Sequence, residues 1–389
     1  MATHNTKWIV FIGSFVIFLS GASTDMYAPA LPQLAIFFGS TKMAAQATIT
    51  SFIVGFGAFQ LLYGIVLDRF GRKKILSPCL LLYVCICIVT VFSPSVTALI
   101  LLRFCQGAMV AGISPSVKAF LSDSFSGKQL DKAVSTMIIA WGSGPVISPF
   151  IGGYLTHFWS WKAVFVALAI YAFIGWLLVT FCLPETLQRK SKQTVSHYLY
   201  AYKETLTHGK FLASMGAILM SYGAMIWFAM IGPFFIQHEL GYSVIDFGHI
   251  ALLMGLAWFL GSMTNRIILR YMSLTKIVHF GSALAILLGI ILVISTTVHM
   301  QLINFLIPAL LIMFTSALYA ACGNVLALKA FPEKAGIASS VQGTLTVLAG
   351  ALLFIPAALF GHFHTGIVLS VGFLVIAILC GALFWWKYA

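Results

Sequence analysis

The residues from position 64 to position 74 read GIVLDRFGRKK, a short basic turn between two long apolar runs. Neither residues 44–66 on its N-terminal side nor residues 75–93 on its C-terminal side include a charged residue. Each run has about the 20 residues that an α-helix needs to cross the hydrocarbon core of a bilayer. The stretch therefore predicts two membrane-spanning helices joined by a charged turn.

The composition of the whole chain agrees with this prediction. Of the 389 residues, 61% are hydrophobic and only 8% are charged, whereas soluble domains carry about 25% charged residues. Backbone polar groups find no water inside a bilayer, so spanning segments must be helices or strands of a closed barrel. Barrel strands alternate apolar and polar residues, but runs such as Ile277–Val298 and Thr365–Trp386 are almost continuously apolar. The spans are therefore predicted to be helices.

About twelve runs of this kind follow one another, which predicts an all-α polytopic membrane protein with twelve transmembrane helices. The predicted spans cover residues 8–28, 44–66, 75–93, 97–120, 132–156, 162–182, 211–236, 245–265, 274–297, 302–325, 336–360 and 366–386. Because the number of spans is even, both chain ends are expected on the same side of the membrane.

The positive charges indicate which side that is. Most of the 22 Lys and Arg residues lie where the chain shares a side with its termini: Lys7, Arg69, Arg72, Lys73, Lys74, Lys118, Lys128, Lys132, Arg189, Lys190, Lys192, Lys203, Lys210, Arg266, Arg270, Lys276, Lys329, Lys334 and Lys387. The other side keeps only Lys42 and Lys162, and Arg103 lies within a span. Loops rich in Lys and Arg stay in the cytoplasm, which predicts a bacterial inner-membrane protein with both termini cytoplasmic. This topology accounts for the net charge of +13, so no nucleic-acid partner is expected.

The longest polar stretch divides the chain near its middle. It predicts an N-terminal six-helix bundle at residues 1–183, a cytoplasmic linker at residues 184–210 and a C-terminal six-helix bundle at residues 211–389. A GxxxDR pattern at 64–69 follows the second span, and GxxxNR at 261–266 follows the eighth. Parallel internal repeats are a feature of transporters, and this recurrence predicts two pseudo-symmetric bundles.

Two charged residues lie within or near the predicted hydrocarbon region. Asp25 is near the outer end of the first span, and a carboxylate there is expensive unless it faces a polar cavity. It is therefore a proton-coupling candidate, with an interfacial helix cap as the alternative. Arg103 lies at a similar depth in the fourth span and needs a partner, so we expect an Asp25–Arg103 ion pair in the cavity. Protonation of Asp25 would loosen this pair, which makes Arg103 a second proton-coupling candidate. The alternative is that Arg103 reaches the outer interface or hydrogen-bonds to backbone carbonyls.

The turn at 64–74 is also a candidate for a moving contact. Gly71 permits a tight turn, and Asp68 is expected either to cap the following helix or to pair with a basic residue of a neighbouring helix. Such a cytoplasmic latch, with Gly64, Arg69 and Arg72, would break and reform during transport. The alternative is plain positive-inside topology, which explains the basic residues but not the glycines or Asp68.

The fifth span is rich in residues that shape helix contacts, namely Gly144, Pro145, Pro149, Gly152 and Gly153. Glycine and proline at this density give a flat, bendable helix that packs closely on another helix. The alternative is small-residue packing without a moving part.

A substrate cavity is expected to use aromatic, methionine and amide side chains, because these accept apolar or cationic ligands of varied shape. The candidates are Tyr27, Gln106, Trp141, Tyr222, Met225, Trp227, Phe228 and Met230. His249 is either a second titratable group or an interfacial histidine. The seven cysteines lack metal-ligand spacing, so we expect no metal and no bound cofactor.

At these residues the chain resembles the major facilitator superfamily, and within it the bicyclomycin-resistance (Bcr/CflA) type of drug:proton antiporters. The resemblance rests on DxYxPALP at 25–32, GxxxDRxGRK at 64–73 and RxxQG at 103–107. The stretch at 331–339 is similar to the connection between the tenth and eleventh helices of that family. The fifth helix departs from the antiporter pattern, because Ser148 stands where the pattern has glycine.

The resemblance implies alternating-access transport driven by the proton gradient, with Asp25 exchanging a proton for substrate in a cavity between the halves. It implies an exporter of drugs or small amphipathic metabolites. Two halves in one chain already build a complete pathway, so a monomer is expected. A siderophore or nutrient permease of the same fold is the alternative. A membrane-embedded enzyme would need a motif such as HExxH or GxSxG, and neither occurs; a receptor would need an appended signalling domain.

Overall fold

The computed structural model describes residues 3–187, 195–331, 335–360 and 363–388. All regular structure in these residues is helical. Twelve of the described helical segments are long and apolar enough to cross a membrane, so the predicted number of spans is confirmed.

The helices lie in chain order as α1 Thr3–Asp25, α2 Leu31–Phe37, α3 Lys42–Phe70, α4 Arg72–Val91, α5 Val96–Val110, α6 Ile113–Ser124, α7 Gly127–Phe158, α8 Trp161–Cys182, α9 Val195–Thr207, α10 Gly209–Pro233, α11 Val244–Ile268, α12 Leu274–Val298, α13 Leu302–Lys329, α14 Ala335–Leu352, α15 Phe354–Leu359 and α16 Thr365–Tyr388. The first span consists of α1 and α2, the fourth of α5 and α6, and the eleventh of α14 and α15. A π-helical turn, Phe234–Glu239, extends α10 in the seventh span.

The first span reaches Phe37 and does not end at residue 28 as predicted. A 3₁₀ turn, Ala28–Ala30, carries the chain from α1 into α2. Pro29 and Pro32 each lie in the first turn of a new helical segment, where a missing N–H costs little because it would have no helical partner. The prolines therefore break the span without ending it.

The helix contacts repeat between the two halves. Spans two and four (α3 with α5) pack together as spans eight and ten (α11 with α13) do. Spans three and six (α4 with α8) correspond in the same way to spans nine and twelve (α12 with α16). Between the halves, α7 of span five packs on α11 of span eight, and α14 of span eleven packs on α3 of span two. The two contacts are equivalent, because spans five and two of the first half correspond to spans eleven and eight of the second. This is the arrangement of two pseudo-symmetric bundles, as the repeated motif predicts.

The described part of the linker is not a simple polar tether. Helix α9 buries Tyr202, whose hydroxyl donates a 3.5 Å hydrogen bond to the carbonyl of Leu61 in α3. Tyr202 shares an apolar cluster with Val341 of α14, so α9 contacts both halves. Residues 188–194 lie outside the described residues, and the boundaries at 183/184 and 210/211 stay a prediction.

The bundle has two ends, here named the terminal face and the opposite face. The terminal face carries the first residues of α1, the α3–α4 turn, α9 and the end of α16. The opposite face carries the turns at residues 38–41, 239–243 and 299–301.

Candidate substrate and proton site

A narrow cavity lies between the two halves and encloses about 420 Å³ when its open mouth is included. Its wall is formed by α1, α7, α10, α11 and α13 and is mostly apolar. The side chains that give it chemical character are Asp25, Met225, Phe228, Met254, Trp258 and Met313. Among the described residues that line it, Asp25 is the one ionisable group.

Asp25 is the last residue of α1 and is 8% exposed. Its carboxylate forms no salt bridge or hydrogen bond with any residue in the described part of the chain. Pro29 lies four residues later and has no N–H, so the helix ends here and its end faces the cavity. The structure therefore presents a carboxylate to the space between the halves without a salt bridge to a described cation.

Arg103 in α5 is fully buried, and its environment differs from the predicted one. Its Nη1 donates to the carbonyl of Ser23 at 3.2 Å and to Oε1 of Gln106 at 2.9 Å. The guanidinium carbon also lies 4.3 Å from the ring centre of Phe52 and 5.0 Å from that of Tyr27. Contacts of this kind between a cation and ring faces are favourable in a dry environment.

The predicted Asp25–Arg103 ion pair is therefore wrong, and the alternative of a bond to a backbone carbonyl is confirmed. Residues two apart on a helix point in directions about 200° apart. Ser23 faces the interior of the N-terminal half, where Tyr83 donates to its hydroxyl at 3.0 Å. Asp25 consequently faces the other way, toward the cavity.

Two predicted cavity residues belong to the surroundings of Arg103. Gln106 is fully buried and donates through Nε2 to Thr90 Oγ1 at 3.1 Å. Tyr27 is fully buried as well, and its hydroxyl accepts a 3.3 Å hydrogen bond from Thr48. Neither lines the cavity, because both fill the space between helices of one half.

The predicted aromatic and methionine candidates divide in the same way. Met225 and Phe228 line the cavity. Trp227 lies two residues from Met225 and faces away, with its indole N–H donating to the carbonyl of Leu369 at 2.9 Å.

The remaining candidates do not line the cavity. Tyr222 packs beside Gly350 of α14. Trp141 packs with its carbonyl against Gly21 of α1. Met230 is fully buried above the cavity in α10. His249 is within 3.5 Å of the Tyr154 hydroxyl at the α7–α11 contact.

Helix α7 connects the Asp25 segment to the other half. A Cβ placed on Gly152 would lie 1.9 Å from the carbonyl oxygen of Met26, and one on Gly144 would lie 2.8 Å from the nitrogen of Ala22. On the other side, a Cβ on Gly153 would lie 2.9 Å from the carbonyl oxygen of Val244 in α11. The predicted close packing is confirmed, and α7 runs as one helix through its prolines.

Those prolines, Pro145 and Pro149, lie on the cavity wall. Sequence reasoning missed the other large side chains of the wall, which are Phe247, Met254, Trp258 and Met313. Their signal was weak, because large apolar side chains in a span face lipid or core far more often than a cavity.

The α3–α4 turn has a cap that the sequence did not predict. Gly71 has φ +112°, which favours glycine, and a Cβ there would lie 2.5 Å from Oε2 of Glu185. That carboxylate accepts from the N–H of Arg72 at 2.8 Å and of Lys74 at 3.2 Å. Burial by itself raises the pKa of Glu185, but the main-chain N–H groups around it hold the pKa below its usual range. Asp68 was a candidate for this capping role, and that part of the prediction is wrong.

Asp68 instead lies 3.5 Å from Nη2 of Arg72 in the first turn of α4. Arg72 Nε is also 2.8 Å from Oδ2 of Asp123 at the end of α6. Gly64 lies near the Tyr202 hydroxyl, and Arg69 is exposed. These contacts join elements around the N-terminal half, and their opening during transport stays a prediction. Asp123 and Glu185 carried one usable signal, since acidic side chains are rare on this basic face.

Comparison with known proteins places the chain in a family. The Major Facilitator Superfamily matches residues 13–354. The chain is 26% identical over 355 residues to the uncharacterized MFS-type transporter YdgK of Bacillus subtilis, covering 89% of this chain and 87% of the relative. It is 25% identical to the bicyclomycin resistance protein homolog of Haemophilus influenzae, covering 85% and 83%. It is 24% identical to the chloramphenicol resistance protein CraA of Acinetobacter baumannii, covering 91% and 86%.

The fold agrees with solved transporters. The xylose transporter XylE from E. coli, in a partially occluded inward open conformation, superposes with a TM-score of 0.77 at 14% identity. The match covers 99% of this chain and 98% of that one. Because the family match spans residues 13–354, the chain belongs to the Major Facilitator Superfamily, as a multi-pass membrane transporter of a small molecule and not an enzyme.

Proposed function

We propose that this transporter exports drugs or small amphipathic metabolites in exchange for protons, by alternating access. The observation that carries the proposal is the position of Asp25. Among the described residues that line the cavity between the halves it is the one ionisable group, and it forms no salt bridge with a described cation. A charged carboxylate in this position is unfavourable because it is poorly solvated. Binding either a proton or a substrate lowers this free energy, so the two can exchange at Asp25.

The rest of the wall suits apolar substrates. Methionine side chains are flexible and polarizable, and they adapt to ligands of different shapes. Phe228 and Trp258 add flat rings that stack on aromatic or cationic groups. The relatives named for bicyclomycin and chloramphenicol resistance support a drug as substrate.

The charge state of Asp25 can affect how the two halves are positioned, because a chain of contacts connects Asp25 to the other half. Its neighbour Met26 contacts Gly152 of α7 through the main chain, and α7 contacts Val244 of α11 through Gly153. Closing the cavity around a charged Asp25 costs more free energy than closing it around a protonated one. Protonation is therefore expected to change which face of the cavity opens.

Topology and assembly complete the proposal. The excess of Lys and Arg on the terminal face supports a cytoplasmic location for it, in an inner membrane. One chain already forms both walls of the cavity, which supports a monomer as the transporting unit. The proton gradient is then the source of energy, without a bound cofactor.

A transport assay with purified protein in liposomes tests the proposal. The liposomes contain a pH-sensitive dye, and bicyclomycin, chloramphenicol, siderophores and amino-acid metabolites are added in turn. The parent is expected to give a substrate-triggered proton flux that Asp25→Asn abolishes. Asp246→Asn is the matched control, because Asp246 is an exposed carboxylate that caps α11 through Ser243; its flux should stay at the parent level.

The direction of the flux decides between the two candidate functions. Proton and substrate moving in opposite directions support export, whereas movement in one direction supports the permease. The observation that favours the permease is Ser148, the departure from the antiporter pattern, which is fully buried in α7. Equal flux in Asp25→Asn and the parent would refute Asp25 as the coupling group.

A further inference from the structure

The two halves are joined at the opposite face by hydrogen bonds from side chains to main-chain carbonyls. Nε2 of Gln46 in α3 donates to the carbonyl of Met230 in α10 at 3.2 Å. Nε2 of Gln237 in the π-helical turn donates to the carbonyl of Pro29 at 3.0 Å. Each bond starts in one half and ends in the other. A carbonyl is an acceptor only, so each glutamine must present its amide nitrogen, and the orientation of both side chains is fixed.

Both acceptors lie where the first helix of a half is broken by proline. Pro29 is part of the 3₁₀ turn between α1 and α2. Met230 lies three residues before Pro233, at which the α-helix gives way to the π-helical turn. There the N–H of Phe234, which a regular helix directs to Met230, donates to the carbonyl of Ile231. The break leaves the Met230 carbonyl without its usual helical donor, and Gln46 supplies one.

These breaks are adjacent to the cavity in both halves. Pro29 follows Asp25 by four residues, and Met230 follows Met225 by five. Asp25 and Met225 both line the cavity. The two inter-half bonds therefore lie about one helical turn from the site, on the side of the opposite face.

We propose that Gln46 and Gln237 hold the opposite face closed by donating to the carbonyls at the two proline breaks, and that both bonds separate when the cavity opens to that face. The proposal rests on the alternating access of the proposed function. Gln46 is 6% exposed in the closed state, so separation exposes both its amide and the Met230 carbonyl to water. Water replaces the lost partners, which allows the opening to be reversible.

Two other polar contacts join the halves at this face, and each includes an exposed side chain. The Tyr154 hydroxyl lies 3.5 Å from Nε2 of His249, and Lys42 makes the other contact. Lys42 Nζ lies 3.3 Å from the hydroxyl of Thr365, whose N–H donates to Glu239. Lys42 is exposed, and an exposed contact of this type contributes little to stability. The two glutamine bonds are therefore the contacts to test.

The test measures access to the cavity from each face. Ala251 lines the cavity, and Ala251→Cys is placed in a full-length chain whose seven native cysteines are replaced. A membrane-impermeant maleimide is added to vesicles of both orientations. Gln46→Leu and Gln237→Leu each remove a donor, and loss of one hydrogen bond of this kind changes an equilibrium by about fivefold.

We expect each variant to raise the ratio of opposite-face to terminal-face labelling rates by about fivefold, and the double variant to raise it by about the product. Gln33→Leu is the matched control. Gln33 is a glutamine at the same face whose Oε1 accepts from the N–H of Trp161 at 2.9 Å, within one half. Its labelling ratio should equal that of the parent.

Three results would overturn the proposal: an unchanged ratio in the double variant, an equal rise in Gln33→Leu, or faster labelling from both faces, which indicates general loosening. The experiment needs neither substrate nor a pH gradient. A failed transport assay therefore leaves the expected labelling result unaffected, and an unchanged ratio refutes the gate without bearing on proton coupling.

Discussion

Asp25 and Arg103 are two charges at similar depth in the same half of the molecule, and their surroundings are opposite. Arg103 is fully buried among rings, with hydrogen bonds to Ser23 and Gln106. Asp25 faces the cavity and makes no hydrogen bond or salt bridge with a described residue. One charge is committed to the protein, and the other is left available to a ligand.

The difference follows from rotation about one helix axis. The segment at residues 23–25 places the carbonyl of Ser23 toward Arg103 and the carboxylate of Asp25 toward the other half. The backbone of α1 thus separates a fixed polar network from an exchangeable site. Substitutions on the two sides should therefore affect different quantities, stability on one side and transport on the other.

The largest expected loss of stability comes from a substitution at Arg103, on the buried side of α1. Arg103→Leu removes the donor to the Ser23 carbonyl and to Gln106, and it leaves both acceptors buried without that donor. Removing one member of a buried charged network typically costs about 3–5 kcal/mol. We expect a comparable loss of stability in thermal denaturation of the detergent-solubilised protein.

The control for this variant is Arg266→Leu. Arg266 lies exposed near the end of α11, and an exposed substitution usually changes stability by less than about 0.5 kcal/mol. If Arg103→Leu were as stable as Arg266→Leu, the network around Arg103 would not be a structural one, and the contrast with Asp25 would fail.

A smaller loss of stability is expected at Gly152 of α7, which packs against the main chain of α1 next to Asp25. Gly152→Ala places a Cβ 1.9 Å from the carbonyl oxygen of Met26, so the main chain of α1 or α7 must move. Overpacking of this kind costs about 1–3 kcal/mol. Because Met26 adjoins Asp25, we expect proton-coupled transport to fall in the same variant, measured by the liposome flux.

Gly142→Ala on the same helix sharpens this result. A Cβ on Gly142 would lie 3.7 Å from the ring of Trp258, an ordinary contact. Alanine in a helix interior is favoured over glycine by about 1 kcal/mol, so this variant should be as stable as the parent or more stable. Equal losses of stability and transport in both variants would show that α7 does not tolerate an added side chain at either position. The loss in Gly152→Ala could then not be assigned to its contact with α1.

The sequence predicted the spans well because the bilayer imposes their length. A segment of about 20 apolar residues has one stable structure in lipid, so twelve runs predicted twelve helices. The first span was predicted too short, because the chain continues past Pro29 and Pro32 into α2. Whether a proline ends a span or only breaks it depends on what the next segment packs against, and this is tertiary information.

The sequence correctly predicted how deep the two charged residues lie in the membrane, but not the direction in which each side chain points. Asp25 and Arg103 were placed at one level, which is correct, and joined in an ion pair, which is not. Helical geometry contained the missing information, since Ser23 and Asp25, like Met225 and Trp227, must face opposite ways. Which of the two directions leads to a cavity cannot be read from one helix alone.

The cap on α4 was beyond local sequence reasoning. Glu185 follows the sixth span, yet it accepts from the N–H of Arg72, 113 residues earlier in the chain. The sequence suggested Asp68, the nearest carboxylate. A helix terminus requires an acceptor, but the sequence does not specify which part of the chain supplies it.

The smallest expected effect on stability belongs to Asp25→Asn, although this variant is expected to abolish proton-coupled transport. The carboxylate has no hydrogen-bond or salt-bridge partner among the described residues, so the substitution removes no such contact. It also removes a charge from a nearly dry wall, and burying an unpaired charge is unfavourable. We expect the denaturation temperature of the solubilised protein to stay equal to that of the parent or to rise. A loss as large as that of Arg103→Leu would instead mean that Asp25 supports the fold, and the division of roles between the two charges would be wrong.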